Sequence, residues 1–144
     1  MTTPHKEKCE VRGYKSHQVP YIWDKVKPYI QKALDRGSNY TIEEIYGGLL
    51  AAEMQLWVWQ GGCKPEIYAA LVTTIQNKDD LRWCLFLAIG GTRMDDWLQF
   101  LPDIEAWAKD KGCDEMRVYG RLPWARKLRA FDYKAHWVKL SKRL

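Results

Sequence analysis

The sequence predicts one α/β domain built on a mixed sheet, and three observations carry that prediction. Trp83-Cys84-Leu85-Phe86-Leu87-Ala88-Ile89 is an unbroken apolar run stopped by Gly90-Gly91. It is too short for a buried helix and has the length of a strand covered on both faces. Trp97, Leu98, Leu101, Ile104 and Ala108 then recur at helical spacing up to Gly112, with Lys109 and Lys111 in the last turn, where they complement the helix dipole. Met116-Arg117-Val118-Tyr119 alternates before Gly120, as a short strand does. Strand, loop, helix and strand in this order form a crossover unit whose two strands run parallel with a right-handed connection. In such a unit the loop after the first strand, with the helix N-terminus behind it, is the natural anion site.

The remaining elements follow in chain order. Residues 1 to 18 are polar, carry Pro4 and Gly13, and are expected to form a leader or a weak edge strand around Val11, leaving residues 19 to 144 as the domain. Between Val19 and Arg36, the residues Ile22, Val26, Tyr29, Ile30, Ala33 and Leu34 make an apolar stripe at helical spacing, and Pro28 inside it predicts a kink or a restart. Thr41 and Glu44 have capping-box spacing, with Tyr40 and Ile45 placed as a hydrophobic staple, so a second helix should run from Thr41 toward Met54. Gly47-Gly48 within it cost ~1 kcal/mol each against alanine and mark close packing or ligand approach. Leu56 to Trp59 and Ile67 to Ile75 read as strands that complete an antiparallel meander with the Trp83 run, through turns at Gly61 to Pro65 and Gln76 to Asp80. Leu122 to Phe131 reads as a short helix, and Tyr133, His136-Trp137-Val138 and Leu140 as a final strand.

Composition narrows the classes of function. The net charge of +5 is uneven: residues 116 to 144 hold nine Lys or Arg against the single Asp132, a net +8 that leaves −3 for the rest. A solvated basic face explains this, and an acidic protein partner or a phosphate-bearing ligand is the sharper alternative; nucleic acid, resting on charge alone, ranks last. Cys9, Cys63, Cys84 and Cys113 show neither C-x-x-C pairing nor histidine at metal spacing, so no metal site is expected, and free thiols fit a reducing cytoplasm. The longest apolar run falls well below the ~20 residues that span a bilayer. Eight tryptophans are read as core and interface residues rather than as a base-stacking surface.

The order of elements resembles that of the Gcn5-related N-acetyltransferase (GNAT) fold family over residues 19 to 144. The text agrees locally: Ile104 to Cys113 looks like the end of that family's central helix, and Arg126 to Tyr133 resembles its aromatic-rich helix ending in Gly-Phe. The chain also resembles small GNAT-like bacteriophage proteins, which would place it in a host cytoplasm or a virion. The resemblance implies transfer of an acetyl group from acetyl-CoA to an amine, with the cofactor along Leu87, Ala88, Ile89, Gly90, Gly91, Thr92 and Arg93, and its pantetheine between splayed central strands. The alternative it implies is a non-catalytic GNAT-fold binding or structural protein.

Two departures from the family text bear on that choice. The family's pyrophosphate motif has glycines after an Arg or Gln; here the loop reads Thr92-Arg93-Met94-Asp95-Asp96-Trp97. A carboxylate ~5 Å from a phosphate costs on the order of 3 kcal/mol at an effective dielectric near 20, enough to cancel the helix dipole. Either aspartate could instead cap the helix. The family's tyrosine, acid to the departing thiolate, falls on Leu128, which donates no proton. Tyr119 and Tyr133 are the substitutes the sequence offers, and Glu53 is a candidate base at the end of the second helix.

Overall fold

The structure, a computed structural model, describes residues 10–36, 38, 40–61, 66–92, 98–118, 122–135 and 142–144. Its elements are β1 (Glu10–Tyr14), a 3-10 turn (Ser16–Gln18), α1 (Val19–Leu34), α2 (Ile42–Leu50), β2 (Met54–Gly61), β3 (Glu66–Lys78), β4 (Leu81–Gly91), a second 3-10 turn (Leu98–Phe100), α3 (Leu101–Asp110), β5 (Glu115–Val118) and α4 (Leu122–Arg129). The five strands form one mixed sheet in the order β1-β2-β3-β4-β5. The first four are antiparallel neighbours, and β5 runs parallel to β4. The expected meander and parallel crossover strand are both present. The polar segment around Val11 is the edge strand β1, with Val11 opposite Trp59.

Alternation along the strands sends apolar side chains to both faces, and each face has its own helical cover. Leu56, Val58, Ala70, Val72 and Ala88 pack under α1 and α2 with Val19, Ile22, Val26, Ile30, Leu34, Ile45 and Leu49. On the opposite face Trp59, Ala69, Leu71, Cys84 and Phe86 pack under α3 and α4 with Leu101, Ile104, Ala108 and Leu128. α1 is a single uninterrupted helix, so of the kink or restart expected at Pro28 the restart does not occur. Pro28 and Asp24, whose carbonyl loses its donor, are both exposed, so water can satisfy that carbonyl.

Local chemistry sets the other boundaries. The capping box forms as expected: Glu44 N–H donates to Thr41 Oγ1 (3.2 Å) and Thr41 N–H donates to Glu44 Oε1 (3.1 Å). α2 stops at Leu50, short of Met54, because Ala52 turns left-handed at φ 59°. Glu53 N–H then bonds to Gly48 O and Ala52 N–H to Leu49 O, the paired bonds of a Schellman stop. α3 closes the same way on Gly112 (φ 83°), through Cys113 N–H to Ala108 O and Gly112 N–H to Lys109 O. Asp79 and Asp80, both at positive φ, make a two-residue hairpin turn, which extends β3 to Lys78 and starts β4 at Leu81. The final strand expected at His136 to Leu140 lies outside the described residues.

Candidate functional site

β4 has two halves with different surroundings. From Trp83 to Phe86 it lies between β3 and β5, in register with Glu115 to Val118. From Leu87 to Gly91 it stays paired with β3, but the described register with β5 has ended at Phe86 opposite Val118. The pairing with β3 also slips here: Thr73 faces Phe86 and Val72 faces Ala88, so Leu87 is an extra residue in a β-bulge. Two consecutive side chains, Leu87 and Ala88, therefore pack toward α1, and Ile89 joins the α3 face with Phe86. Thr92 N–H donates to Tyr68 O (2.7 Å), which fixes the phase of the ladder. By alternation, Ile89 and Gly91 turn their N–H and C=O groups away from β3, toward the side on which the described pairing with β5 has ended.

The two glycines closing this strand are required by packing. A Cβ on Gly90 would lie 2.0 Å from the backbone oxygen of Tyr29 in α1. One on Gly91, at φ 144°, would lie 2.3 Å from Tyr68 O. Gly48 is likewise a close-packing position, against the Met54 side chain at 2.6 Å, whereas Gly47 faces open space.

Behind the strand, the described residues place a 3-10 turn at Leu98–Phe100 and α3 at Leu101–Asp110, and Trp97 lies outside them. The N-cap of α3, Phe100, makes no side-chain bond, Pro102 has no N–H to offer, and the exposed Asp103 puts a carboxylate in the first turn. Arg93, Asp95, Asp96 and Tyr119 lie outside the described residues.

The described candidate side chains are dispersed. Tyr133 O–H donates to Glu105 Oε2 of α3 at 3.0 Å. Burial raises its pKa well above the tyrosine range, and the Glu105 charge and the bond to it push the same way. Its nearest titratable neighbours include Cys84, on the half of β4 that β5 covers. Cys84 is fully buried and its thiol is pushed up from 9.0 to about 12, by burial first and by Cys113 second, against a bond with Thr73. That threonine links a buried network: Trp57 Nε1–H donates to Thr73 Oγ1 (3.0 Å), which donates to Gln55 Oε1 (2.9 Å). Glu53 is exposed, and its backbone is the corner between α2 and β2: its N–H caps the helix and its carbonyl accepts from Thr74 Oγ1 (2.9 Å). Leu128 is a core residue at 5 % exposure. α4 closes at Asp132 (φ 66°) with Tyr133 N–H bonded to Leu128 O, so Asp132-Tyr133 supplies the left-handed residue and packed aromatic of the Gly-Phe ending.

No protein-family model and no curated protein matches the chain. Solved structures do. An aminoglycoside acetyltransferase from an uncultured soil metagenomic sample superposes with a TM-score of 0.69 at 8 % identity, over 95 % of this chain and 99 % of that one. A putative acetyltransferase from Pyrococcus furiosus gives 0.67 at 15 % identity over 95 % and 100 %. A predicted acetyltransferase from Clostridium acetobutylicum, solved with acetyl-CoA, gives 0.66 at 9 % over 93 % and 96 %. The fold is the GNAT fold.

Within this GNAT fold, sequence reasoning missed two things. The bulge at Leu87 sits in an unbroken apolar run and has no polar residue or glycine to mark it. Glu105 had a readable signal: it follows Ile104 directly and flanks the Leu101, Ile104, Ala108 stripe, where a helix side chain is half buried and needs a partner.

Proposed function

We propose that the protein is an acyl-CoA-dependent N-acyltransferase that binds its acyl donor along Leu87 to Gly91. The observation that carries the reading is the end of β4 beyond Phe86, where, past the last described pair with β5, a bulge at Leu87 precedes Ile89 and Gly91, whose backbone groups turn away from β3. A pantetheine arm carries amide groups spaced along an extended chain, and it would pair with this stretch as an added strand does. The thioester supplies an activated carbonyl. The chain's own contribution is orientation, an N–H aimed at the carbonyl oxygen as it gains charge, and exclusion of water by Phe86, Leu87 and Ile89. The acetyl-CoA in the Clostridium acetobutylicum structure supports the donor class.

Leu128 favours a second reading, a GNAT-fold binding or structural protein of the phage-like kind, with its basic C-terminal end as the docking surface, because an apolar core residue stands where the family text has its acid. Titration calorimetry with acetyl-CoA separates the two. Micromolar binding, followed by thiol release when a panel of primary amines is added, supports the acyltransferase. Absence of heat at millimolar acetyl-CoA overturns it in favour of the second reading.

A further inference from the structure

We propose that the outer face of α2 is a docking surface for a basic amphipathic helix of a partner protein. Gly47 is the residue that points to it. Glycine is among the least favourable residues inside a helix, so its presence there calls for a reason. Gly48 has one within the chain, since a Cβ on it would lie 2.6 Å from Met54 Sδ. A Cβ on Gly47 would meet nothing within 4 Å. No neighbour among the described residues therefore requires that glycine. What a missing Cβ offers at an exposed helix position is close approach of another backbone.

The residues around Gly47 define what can approach. Glu43, Gly47, Leu50 and Ala51 share one side of α2 by helical spacing, and all four are exposed. Leu50 is 42 % exposed, although Ile45, Gly48 and Leu49 on the opposite side are buried. One turn before Leu50, the half-buried Tyr46 lies with its ring 4.7 Å from that of Trp23, which continues the apolar strip toward α1. The charge on this face has one sign: residues 37 to 63 contain Glu43, Glu44 and Glu53 and no Lys or Arg. α2 thus presents an apolar edge at Tyr46 and Leu50, a bare strip at Gly47 and Ala51, and an acidic N-terminal half. The complement is a helix with an apolar stripe for the first and Lys or Arg beside it for Glu43 and Glu44, its axis brought to about 8 Å by the absent side chain. The surface is already in place, because the capping box at Thr41 and the stop at Ala52 hold both ends of α2, and little ordering cost falls on binding.

The test uses a short helix-forming peptide of Leu and Lys on opposite faces, with its Leu and Glu counterpart as control, titrated with the full chain by fluorescence anisotropy. Micromolar binding of the Lys peptide at low salt is expected, weakened as salt rises, with none for the Glu peptide. Leu50→Ser and Gly47→Gln should each raise the Kd about tenfold or more. Gly47→Gln separates docking from folding: glutamine is the better helix former, so the unfolding midpoint should rise while binding falls. Absence of binding by the Lys peptide, or binding undiminished in both variants, overturns the proposal. Sedimentation of the chain alone addresses the other occupant, since self-association abolished by Leu50→Ser would give this face to a second copy and overturn the partner assignment.

Discussion

The two halves of β4 are written in one apolar alphabet and do different work. Trp83 to Phe86 is clamped between β3 and β5, with all four residues buried and the Cys84 thiol held neutral by its surroundings. Leu87 to Gly91 is held on one side by β3, with Leu87 and Ala88 against α1, and the described pairing with β5 does not reach it. The bulge at Leu87 then decides which side chains face which helix. A uniform run can thus be divided by its neighbours.

The largest expected effect lies in the half from Leu87 to Gly91. Gly90→Ala puts a methyl group against the Tyr29 carbonyl, which belongs to helix backbone and cannot rotate away. A loss of about 3 kcal/mol in urea unfolding is expected. A neutral Gly90→Ala would mean that this half of β4 is loosely held, and the comparison would fail.

The clamped half is tested by alkali. Below pH 9.0 the Cys84 thiol is neutral in both states; above it the unfolded chain ionises while the folded one waits until about 12. Stability contributed by the protonated thiol is therefore complete below pH 9 and lost as pH rises through that window, at about 1.4 kcal/mol per pH unit. Tyr133, raised from the ordinary tyrosine value, acts in the same direction above pH 10.0. Denaturant midpoints measured from pH 8 to 11 should fall, and Cys84→Ala should flatten the fall. An unchanged slope in that variant would show water reaching the clamped half.

A smaller effect is expected at Tyr133→Phe, which leaves Glu105 without its donor. Stability should drop by about 1–2 kcal/mol. If the hydroxyl only ties α4 to α3, any turnover falls no further than the folded fraction does. A loss of rate in fully folded protein would move Tyr133 into the chemistry and blur the division between the halves.

The sequence reached the fold because its strongest signals were local. The capping box at Thr41, the glycine stop at Gly112 and the apolar runs of β2 to β4 each report a structure formed within a few residues. The candidate site was less legible, since it depends on pairing between distant segments. Nothing in Leu87-Ala88-Ile89 tells that Leu87 has no partner on β3, or that Phe86 lies opposite Val118. Gly90 and Gly91 stand in the expected cofactor stretch, and sequence cannot distinguish a glycine cleared for a ligand from one cleared for a neighbouring backbone carbonyl. The 3-10 turn before α3 was hidden for a related reason: Leu98 and Leu101 keep helical spacing through it, and its period differs too little over three residues to be seen.

The smallest predicted effect separates stability from ligand binding most sharply. Asp103 lies in the first turn of α3, where its negative charge favours the helix by about 0.5 kcal/mol. The same charge would repel a pyrophosphate brought to the Leu87 to Gly91 half of β4. Asp103→Asn should therefore lower the unfolding free energy by about 0.5 kcal/mol and, on the acyl-CoA reading, tighten acetyl-CoA binding two- to threefold at low salt, roughly the converse of that same energy. Opposite signs in the two measurements would bring a charged ligand close to the first turn of α3. Equal signs would mean that no such ligand approaches Asp103.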